Sequence, residues 1–182
     1  MSLDTSPEGQ SAAEDVRPLA VRVVDDVGPE ILRSYAEQYG ELTIVVQRER
    51  IRDVLKALRD HPELEYRFLA DLTAVDYLGM GIEPRFNVVY HLLSMSKRQR
   101  VRVKVEVPEG DEWAPSVTAE WPAANWLERE VYDLMGVRFE GHPDLRRILM
   151  PHDWQTHPLR KDEPLGEEPV AFSDSAPRNE PA

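Results

Sequence analysis

The clearest pattern of hydrophobic and polar positions lies between residues 101 and 107. Valine occupies every second position there, and Arg102, Lys104 and Glu106 stand between the valines. Alternation with a period of two predicts a β-strand that buries one face and leaves the other in water. Residues 85–94 are predicted as a preceding strand and residues 96–100 as the turn between the two. We therefore expect an antiparallel hairpin, which Pro108 ends.

Other parts of the chain repeat their apolar residues at helical spacing or in short runs. The segments with helical spacing are 29–40, 48–60 and 125–135. The short apolar runs, which predict an edge strand and a buried strand, are 19–24 and 42–46. Residues 66–77 are ambiguous between helix and strand. The predicted fold class is α+β, an α/β two-layer sandwich in which helices pack on a mixed sheet with a β-hairpin.

Both ends of the chain differ from this pattern. Residues 1–18 are small, polar and acidic, and predict a disordered tail before a domain at 19–150. Residues 151–182 hold six of the chain's 15 prolines, which predicts an extended Pro-rich C-terminal arm whose last residues are disordered. The arm still has five spaced large apolar side chains: Trp154, Leu159, Leu165, Val170 and Phe172. Two interpretations are open: the arm tucks onto its own domain, or, as we favour, it lies on a partner.

The helix predicted at 125–135 has recognisable ends. Pro122 suits the first turn, Asn125 is a candidate cap, and Gly136 is typical of the position just past a helix. A helical wheel places three apolar residues on one stripe, which we predict to face the core: Leu127, Val131 and Leu134.

Charged residues on the same helix divide between two faces. Glu130 lies beside the apolar stripe, so we expect a desolvated carboxylate paired with Arg146 or Arg147. Arg129 points away from the stripe, with Asp133 one turn further on as its partner. These residues fit either a surface ion pair beside one semi-buried structural glutamate, or a charged docking face.

Charge and composition exclude several classes of protein. The formal net charge is −12, which argues against binding to a phosphate backbone, so no nucleic-acid partner is expected. The segment 128–161 is neutral, with six acidic and six basic residues, which suits a complementary protein surface. With no cysteine, the chain has no thiolate ligand for a cluster or zinc. No apolar run approaches the roughly 20 residues of a membrane span, and the first residues do not resemble an export signal.

Candidate chemistry is sparse. His and Asp residues at 142, 144, 152, 153 and 157 invite a metal-hydrolase hypothesis, but their spacing does not suit a helical ligand pair, and proline follows both His142 and His157. We expect both rings to hydrogen-bond to backbone or to an acid at a turn instead. The sequence contains no glycine-rich phosphate loop and no nucleophile elbow. We therefore predict no catalytic, metal-binding or cofactor-binding residue in this chain.

One pattern of fixed residues carries a family resemblance. Glu128-Arg129-Glu130 is followed after two residues by Asp133-Leu134-Met135, after six more by His142, and then by Arg146 and Ile148-Leu149. This ungapped pattern resembles the C subunit, or 30 kDa subunit, family of proton-translocating NADH:quinone oxidoreductase, respiratory complex I. Residues 141–146, 157–162 and 69–77 also resemble the family, and the likeness covers roughly 66–165.

The resemblance implies a non-catalytic structural subunit of the hydrophilic arm of that complex, which passes electrons from NADH to quinone and couples this to proton translocation. It implies partners, chiefly the large D subunit of the quinone module and neighbouring iron–sulfur subunits, and a peripheral place on the cytoplasmic side of the cell inner membrane. NADH, FMN, iron–sulfur clusters and quinone are expected on other subunits. The alternative is the equivalent subunit of a membrane-bound hydrogenase or F420H2 dehydrogenase. The residues we assign to partner binding or to the structural motif are Glu128, Arg129, Glu130, Asp133, His142, Arg146, Arg147, Trp154, His157, Leu159 and Arg160.

Overall fold

The computed structural model describes residues 16–163. In chain order the elements are α1 (Leu19–Val27), β1 (Leu32–Gln38), β2 (Glu41–Val46), α2 (Ile51–Asp60), β3 (Phe68–Asp76), β4 (Phe86–Ser94), β5 (Gln99–Val107), β6 (Trp113–Pro115), α3 (Ala124–Met135) and β7 (Arg138–Glu140). Arg48–Arg50 forms one turn of 3₁₀ helix before α2. The centre of the fold is a five-stranded sheet in the order β1-β2-β5-β4-β3, and β6 and β7 form a separate parallel pair.

The predicted hairpin is the middle of the sheet. β4 and β5 are antiparallel, with Tyr90 opposite Val103, and the valines of β5 are all buried. β2 runs parallel to β5 on one side, and β3 runs antiparallel to β4 on the other, so the sheet is mixed as expected. The ambiguous segment 66–77 is therefore resolved as a strand.

All three helices contribute to a single core against one face of this sheet. Ile44, Val103, Tyr90 and Leu72 follow one another across neighbouring strands and belong to one buried cluster with residues of α1, α2 and α3. Side chains on the other face, such as Arg102, remain partly exposed. The helical layer thus covers one side only, which confirms the α+β two-layer sandwich.

Two elements near the N-terminus were predicted with the wrong type. Residues 19–24, predicted as a strand, belong to α1, because their valines and Ala20 recur at helical spacing and pack on α2. Residues 29–40, predicted as a helix, contain β1, whose side chains are almost all exposed. Tyr39 and Gly40 both have positive φ, 54° and 77°, and form the two-residue turn that pairs Gln38 with Glu41. Such turns suit β-hairpins, and this one outweighs the helical spacing.

The ends of the described chain are bonded to the domain. Arg17 forms an ion pair with Asp25 of α1, whereas the rest of the predicted N-terminal tail, residues 1–15, lies outside the described part. Residues 164–182, with Leu165, Val170 and Phe172, also lie outside it. Between residues 16 and 163, no helix is long and apolar enough to cross a membrane.

Candidate functional site

Asp133 lies at the centre of the motif and is completely buried. Its Oδ2 accepts hydrogen bonds from the backbone N–H groups of Ile148, Leu149 and Met150 at 2.8–2.9 Å, and its Oδ1 accepts one from Arg147 at 2.6 Å. Burial alone would raise the pKa of Asp133, but these donors outweigh it and lower the pKa to about 2. The carboxylate therefore fixes the backbone of residues 148–150 and the side chain of Arg147.

Two arginines complete the attachment of this loop to α3. Arg129 donates from Nε to the carbonyl oxygen of Arg146 at 3.0 Å and from Nη2 to that of Arg147 at 3.1 Å. Its guanidinium also stacks 5.2 Å from the centre of the Trp126 ring. Arg147 in turn reaches the carbonyl oxygen of Thr156 at 3.1 Å. The loop is thus bound to the helix by side chains that are themselves buried or half-buried.

The C-terminal end of α3 is capped by a later part of the chain. A helix leaves its last four carbonyl groups without helical partners. Three of these carbonyl groups, of Asp133, Leu134 and Met135, accept hydrogen bonds from His157 Nδ1, the N–H of Leu159 and Arg160 Nε at 2.7–3.0 Å. The fourth, of Tyr132, accepts the N–H of Gly136. The sequence His-Pro-Leu-Arg is therefore a cap supplied from a distance, and we call residues 146–162 the fold-back segment.

Gly136 makes this close approach possible. It has φ 77°, the left-handed conformation that glycine favours, as predicted for the position after the helix. A β-carbon at this position would lie 2.5 Å from Arg160 Nη2 and 2.6 Å from the His157 ring. The glycine thus serves both the turn and the packing of the fold-back segment.

Glu128 is the second completely buried carboxyl group of α3. Its Oε1 accepts a hydrogen bond from the N–H of Val117 at 2.7 Å, while its Oε2 and the nearby Tyr90 hydroxyl are buried without a hydrogen-bond partner among residues 16–163. Burial raises the pKa of Glu128 to about 7. The structural glutamate of this helix is therefore Glu128, where the sequence predicts Glu130.

The predicted charge pairs of the helix were wrong. Glu130 is exposed and pairs with neither arginine: Arg147 binds Asp133, and Arg146 forms an exposed pair with Asp144. Arg129 is buried and binds backbone carbonyls instead of Asp133. The helical wheel failed because it assumes that only one face of the helix is covered. Charged side chains of α3 meet backbone groups on two sides, at Val117 and at residues 146–150. The helix also begins at Ala124 without a side-chain cap, so Asn125 is not the cap.

The two histidines of the motif bind backbone groups, as predicted. His142 accepts the N–H of Asp144 on Nδ1 and donates from Nε2 to the carbonyl oxygen of Asn125 at 3.1 Å, which assigns the neutral tautomer. His157 donates from Nδ1 to the carbonyl oxygen of Asp133. His142 therefore holds the turn after β7 against the start of α3, and His157 holds the fold-back segment against its end.

Apolar side chains project from this attached segment. Leu149 is 60% exposed, Leu159 is 55% exposed and Trp154 is 44% exposed. The Trp154 indole N–H donates to Thr156 Oγ1, two residues away, at 3.1 Å. The backbone that carries these side chains is fixed, so the segment presents them in a defined arrangement.

A cluster outside the predicted site residues secures the end of the fold-back segment. Arg85 is buried and binds Asp76 with two hydrogen bonds at 2.9 and 3.1 Å, and it also binds Asp162 and Glu109. Asp76 accepts the N–H of Lys161 as well, at 2.9 Å. Asp76, Lys161 and Asp162 all lie in the segments that carry the family resemblance, and that was the available signal.

These residues lie in the part of the chain that matches known proteins. The family of the respiratory-chain NADH dehydrogenase 30 kDa subunit matches residues 44–169. The NADH-quinone oxidoreductase C subunit of Roseiflexus sp. (strain RS-1) is 54% identical over 145 residues, 80% of this chain and 82% of that protein. The C subunit of the same enzyme from Geobacter sulfurreducens is 55% identical over 126 residues, 69% of this chain and 76% of that protein.

Solved structures agree. The trypsin-resistant fragment (1–134) of Nqo5 has a TM-score of 0.59 at 38% identity and covers 69% of this chain and 98% of the fragment. A chain of the membrane-bound sulfane sulfur reductase, an archaeal respiratory membrane complex, has the same TM-score, 0.59, at 27% identity, covering 78% and 82%. Sequence and fold together confirm the resemblance seen in the motif. The chain therefore belongs to the family of the 30 kDa subunit of the respiratory-chain NADH dehydrogenase.

Proposed function

We propose that this chain is a non-catalytic assembly subunit of the hydrophilic arm of NADH-quinone oxidoreductase, and that its fold-back segment docks onto a neighbouring subunit. The partner is chiefly the large D subunit of the quinone module, with iron–sulfur subunits beside it. NADH, FMN, iron–sulfur clusters and quinone are bound by those other subunits. The chain lies on the cytoplasmic side of the inner membrane and reaches it through its partners.

The observation that carries this proposal is that the charged side chains of the motif bond to groups of their own chain. The Asp133 carboxylate takes four donors, and Arg129 binds two carbonyl groups. His157 and Arg160 bind the end of the helix. All of these bonds lie within the same chain, and all except the one from the Arg147 guanidinium to Asp133 involve its backbone. This supports a positioning role for the motif, with Leu149, Trp154 and Leu159 as the side chains that meet the partner.

Such a surface suits a permanent contact. Apolar side chains on a fixed backbone lose little conformational freedom on binding, so most of their burial contributes to affinity. A buried leucine or tryptophan is worth about 25 cal/mol per Å² of apolar surface removed from water. The interspersed acidic and basic residues of segment 128–161 then set the orientation of the partner on this surface. The equivalent subunit of a hydrogenase or F420H2 dehydrogenase is not better supported, because the relatives at 54–55% identity are named as NADH-quinone oxidoreductase subunits.

The test is a double substitution, Leu149→Ser with Trp154→Ala, in the full chain. We expect an unchanged melting temperature, because both side chains are largely exposed. We also expect complexes isolated in mild detergent to lack the chain and to lose NADH-to-quinone activity. Tyr39→Ala with Met95→Ala is the matched control, since both side chains are exposed far from this segment. Full assembly of the double variant would contradict the docking role. Stoichiometric flavin or metal in the purified chain would contradict the absence of a cofactor.

A further inference from the structure

The turn between β3 and β4 carries three large apolar side chains on its surface. Leu78, Met80 and Ile82 are all exposed, Met80 most of all at 57%. Gly79 and Gly81 stand between them, and a β-carbon on either glycine would meet no atom of the described chain within 4 Å. The turn therefore projects from the domain. Large apolar side chains gathered on one exposed element mark a surface that binds something.

Hydrogen bonds hold this turn in one arrangement beside the fold-back segment. The N–H of Tyr77 donates to the carbonyl oxygen of Arg85 at 2.8 Å and closes the base of the turn. Asp76 Oδ1 accepts the N–H of Leu78 at 2.9 Å, and its Oδ2 accepts the N–H of Lys161, also at 2.9 Å. One carboxylate thus binds both the turn and the end of the fold-back segment. A turn fixed in this way loses little conformational freedom when a partner covers it.

The charges around the turn are mostly acidic. The turn and the residues bonded at its base include four acidic and two basic side chains, a net charge of −2: Asp76, Glu83, Glu109 and Asp162 against Arg85 and Lys161. Arg85 is buried, whereas Glu83, Glu109 and Asp162 are exposed. An acidic rim is unsuited to anionic lipid headgroups, which attract basic residues. It suits a protein surface that carries Lys or Arg around an apolar pocket.

The same charges bear on the chain's own ends as occupants. Residues 1–15 contain four acidic residues and no basic one, and residues 164–182 contain four acidic residues and one basic. A second copy of the chain has a net charge of −12. Like charges oppose binding to an acidic rim, so these occupants are disfavoured relative to a basic partner. Each of them is a distinct outcome of the test below.

We propose that the turn between β3 and β4 inserts into an apolar pocket with a basic rim on another subunit of the complex. Met80 and Ile82 enter the pocket, and Lys or Arg side chains of its rim pair with Glu83. The proposal rests on the assembly role proposed above, but it uses different side chains from Leu149 and Trp154, so the two surfaces can fail separately.

The absence of cysteine from the chain permits a direct test of whether the turn is covered. Met80→Cys places a single thiol at the tip of the turn, and its alkylation rate by N-ethylmaleimide is followed by mass spectrometry of peptides from this chain. In the isolated full chain, we expect the rate to equal that of Met95→Cys, an exposed position in the turn between β4 and β5. In the isolated complex, we expect the Met80→Cys rate to fall at least about tenfold, because interface centres exclude solvent.

Two results of this labelling overturn the proposal. A slow rate in the isolated chain means that one of its own ends or a second copy covers the turn. An unchanged rate in the complex means that nothing covers it. Sedimentation of the isolated chain with vesicles of phosphatidylcholine, alone or mixed with phosphatidylglycerol, tests the membrane as occupant. We expect no binding, and binding that is lost in Met80→Ser with Ile82→Ser also overturns the proposal.

Substitutions provide an independent readout in assembly. Met80→Ser with Ile82→Ser should leave the melting temperature unchanged, because both side chains are exposed, and lower the yield of complex isolated in mild detergent at least about tenfold. Met95→Ser is the matched control, with an unchanged yield. Glu83→Lys should lower the yield at least about threefold through repulsion by a basic rim. Normal assembly of the double variant overturns the proposal, and so does a higher yield with Glu83→Lys.

The wild-type chain separates this inference from the proposed function. If the wild type does not copurify with NADH-quinone oxidoreductase, the assembly role itself is wrong. If the wild type copurifies and the Met80/Ile82 variant does so equally well, only the role of the turn is wrong. The Leu149/Trp154 variant reports on the fold-back segment in the same assay.

Discussion

The two halves of α3 each bury a carboxyl group completely, yet they shift its pKa in opposite directions. In the N-terminal half, Glu128 Oε1 accepts the N–H of Val117 while its Oε2 has no hydrogen-bond partner among residues 16–163, and burial raises its pKa to about 7. In the C-terminal half, Asp133 has four donors, and its pKa falls to about 2. Neither side chain is exposed to solvent, but Glu128 lies deeper among packed atoms and has fewer donors, and both differences raise its pKa relative to that of Asp133. At pH 7 the first half of the helix packs a carboxyl group that is about half protonated, and the second half carries an anion that organises a loop.

The largest effect is expected at Asp133. All of its partners are donors, so the amide of Asp133→Asn turns an NH₂ group toward a donor in either orientation. Breaking a buried pair of this kind costs about 3–5 kcal/mol. We expect that loss in the free energy of unfolding measured with urea at pH 7, and less than about 0.5 kcal/mol for the exposed control Glu130→Gln.

The pH dependence sharpens this result. The folded pKa of Asp133 is about 2, below its ordinary 3.8. Its contribution is complete above pH 4 and is lost as pH falls from about 4 to about 2. The gap between the wild type and Asp133→Asn should therefore narrow over that range. A gap that stays constant down to pH 2 would contradict an ionised carboxylate at this position.

Glu128 should show the opposite dependence. Its folded pKa of about 7 lies above the ordinary 4.5, so the folded state binds the proton more tightly. The wild type then loses stability as pH rises from about 4.5 to about 7, by roughly 3 kcal/mol in total, since one pKa unit corresponds to about 1.4 kcal/mol. Glu128→Gln should remove this slope in urea titrations at pH 5 and 8, and the exposed Glu140→Gln should keep it. Equal slopes for all three proteins would remove the contrast between the two halves of the helix.

A smaller effect is expected at Gly136, where the chain turns at the end of α3 and the fold-back segment packs on it. Gly136→Ala places a methyl group against Arg160 and His157 and adds left-handed strain of roughly 1–2 kcal/mol. Gly141→Ala is the matched control, because its φ of 84° is as strained but its β-carbon meets nothing within 4 Å. We expect faster trypsin cleavage after Arg160 and Lys161 in Gly136→Ala alone. Equal cleavage in the two variants would mean that strain, and not displacement of the fold-back segment, governs this end of the helix.

The sequence was sufficient for the parts of the fold that local pattern controls. The valine alternation of β5, the helix α2 and the stop at Gly136 were all predicted correctly. β1 was missed because a turn at Tyr39 and Gly40 determines it, and such a turn requires two positive φ values that spacing does not reveal.

The candidate site was only half predictable. The motif residues were found, but Glu130 was chosen in place of Glu128 because a helical wheel assumes one buried face. α3 instead meets the sheet, the backbone at Val117 and the fold-back segment at once. Arg85 was missed because its partners Asp76 and Asp162 are nine and 77 residues away in sequence. Contacts of that range depend on the fold and leave no local pattern.

The bonds of the fold-back segment can form only late in synthesis, after the strands of the sheet have been made. A nascent chain can complete the five-stranded sheet once Val107 has been made, because every strand of that sheet lies upstream. Asp76 and Arg85 must then wait for Lys161 and Asp162, 85 and 77 residues later. Until translation reaches them, Arg85 lacks its bond to Asp162 but keeps those to Asp76 and Glu109, and the end of α3 lacks the bonds from His157, Leu159 and Arg160. A chain that stops before residue 157 therefore has a complete five-stranded sheet but lacks the bonds that cap α3 and that join Lys161 to Asp76.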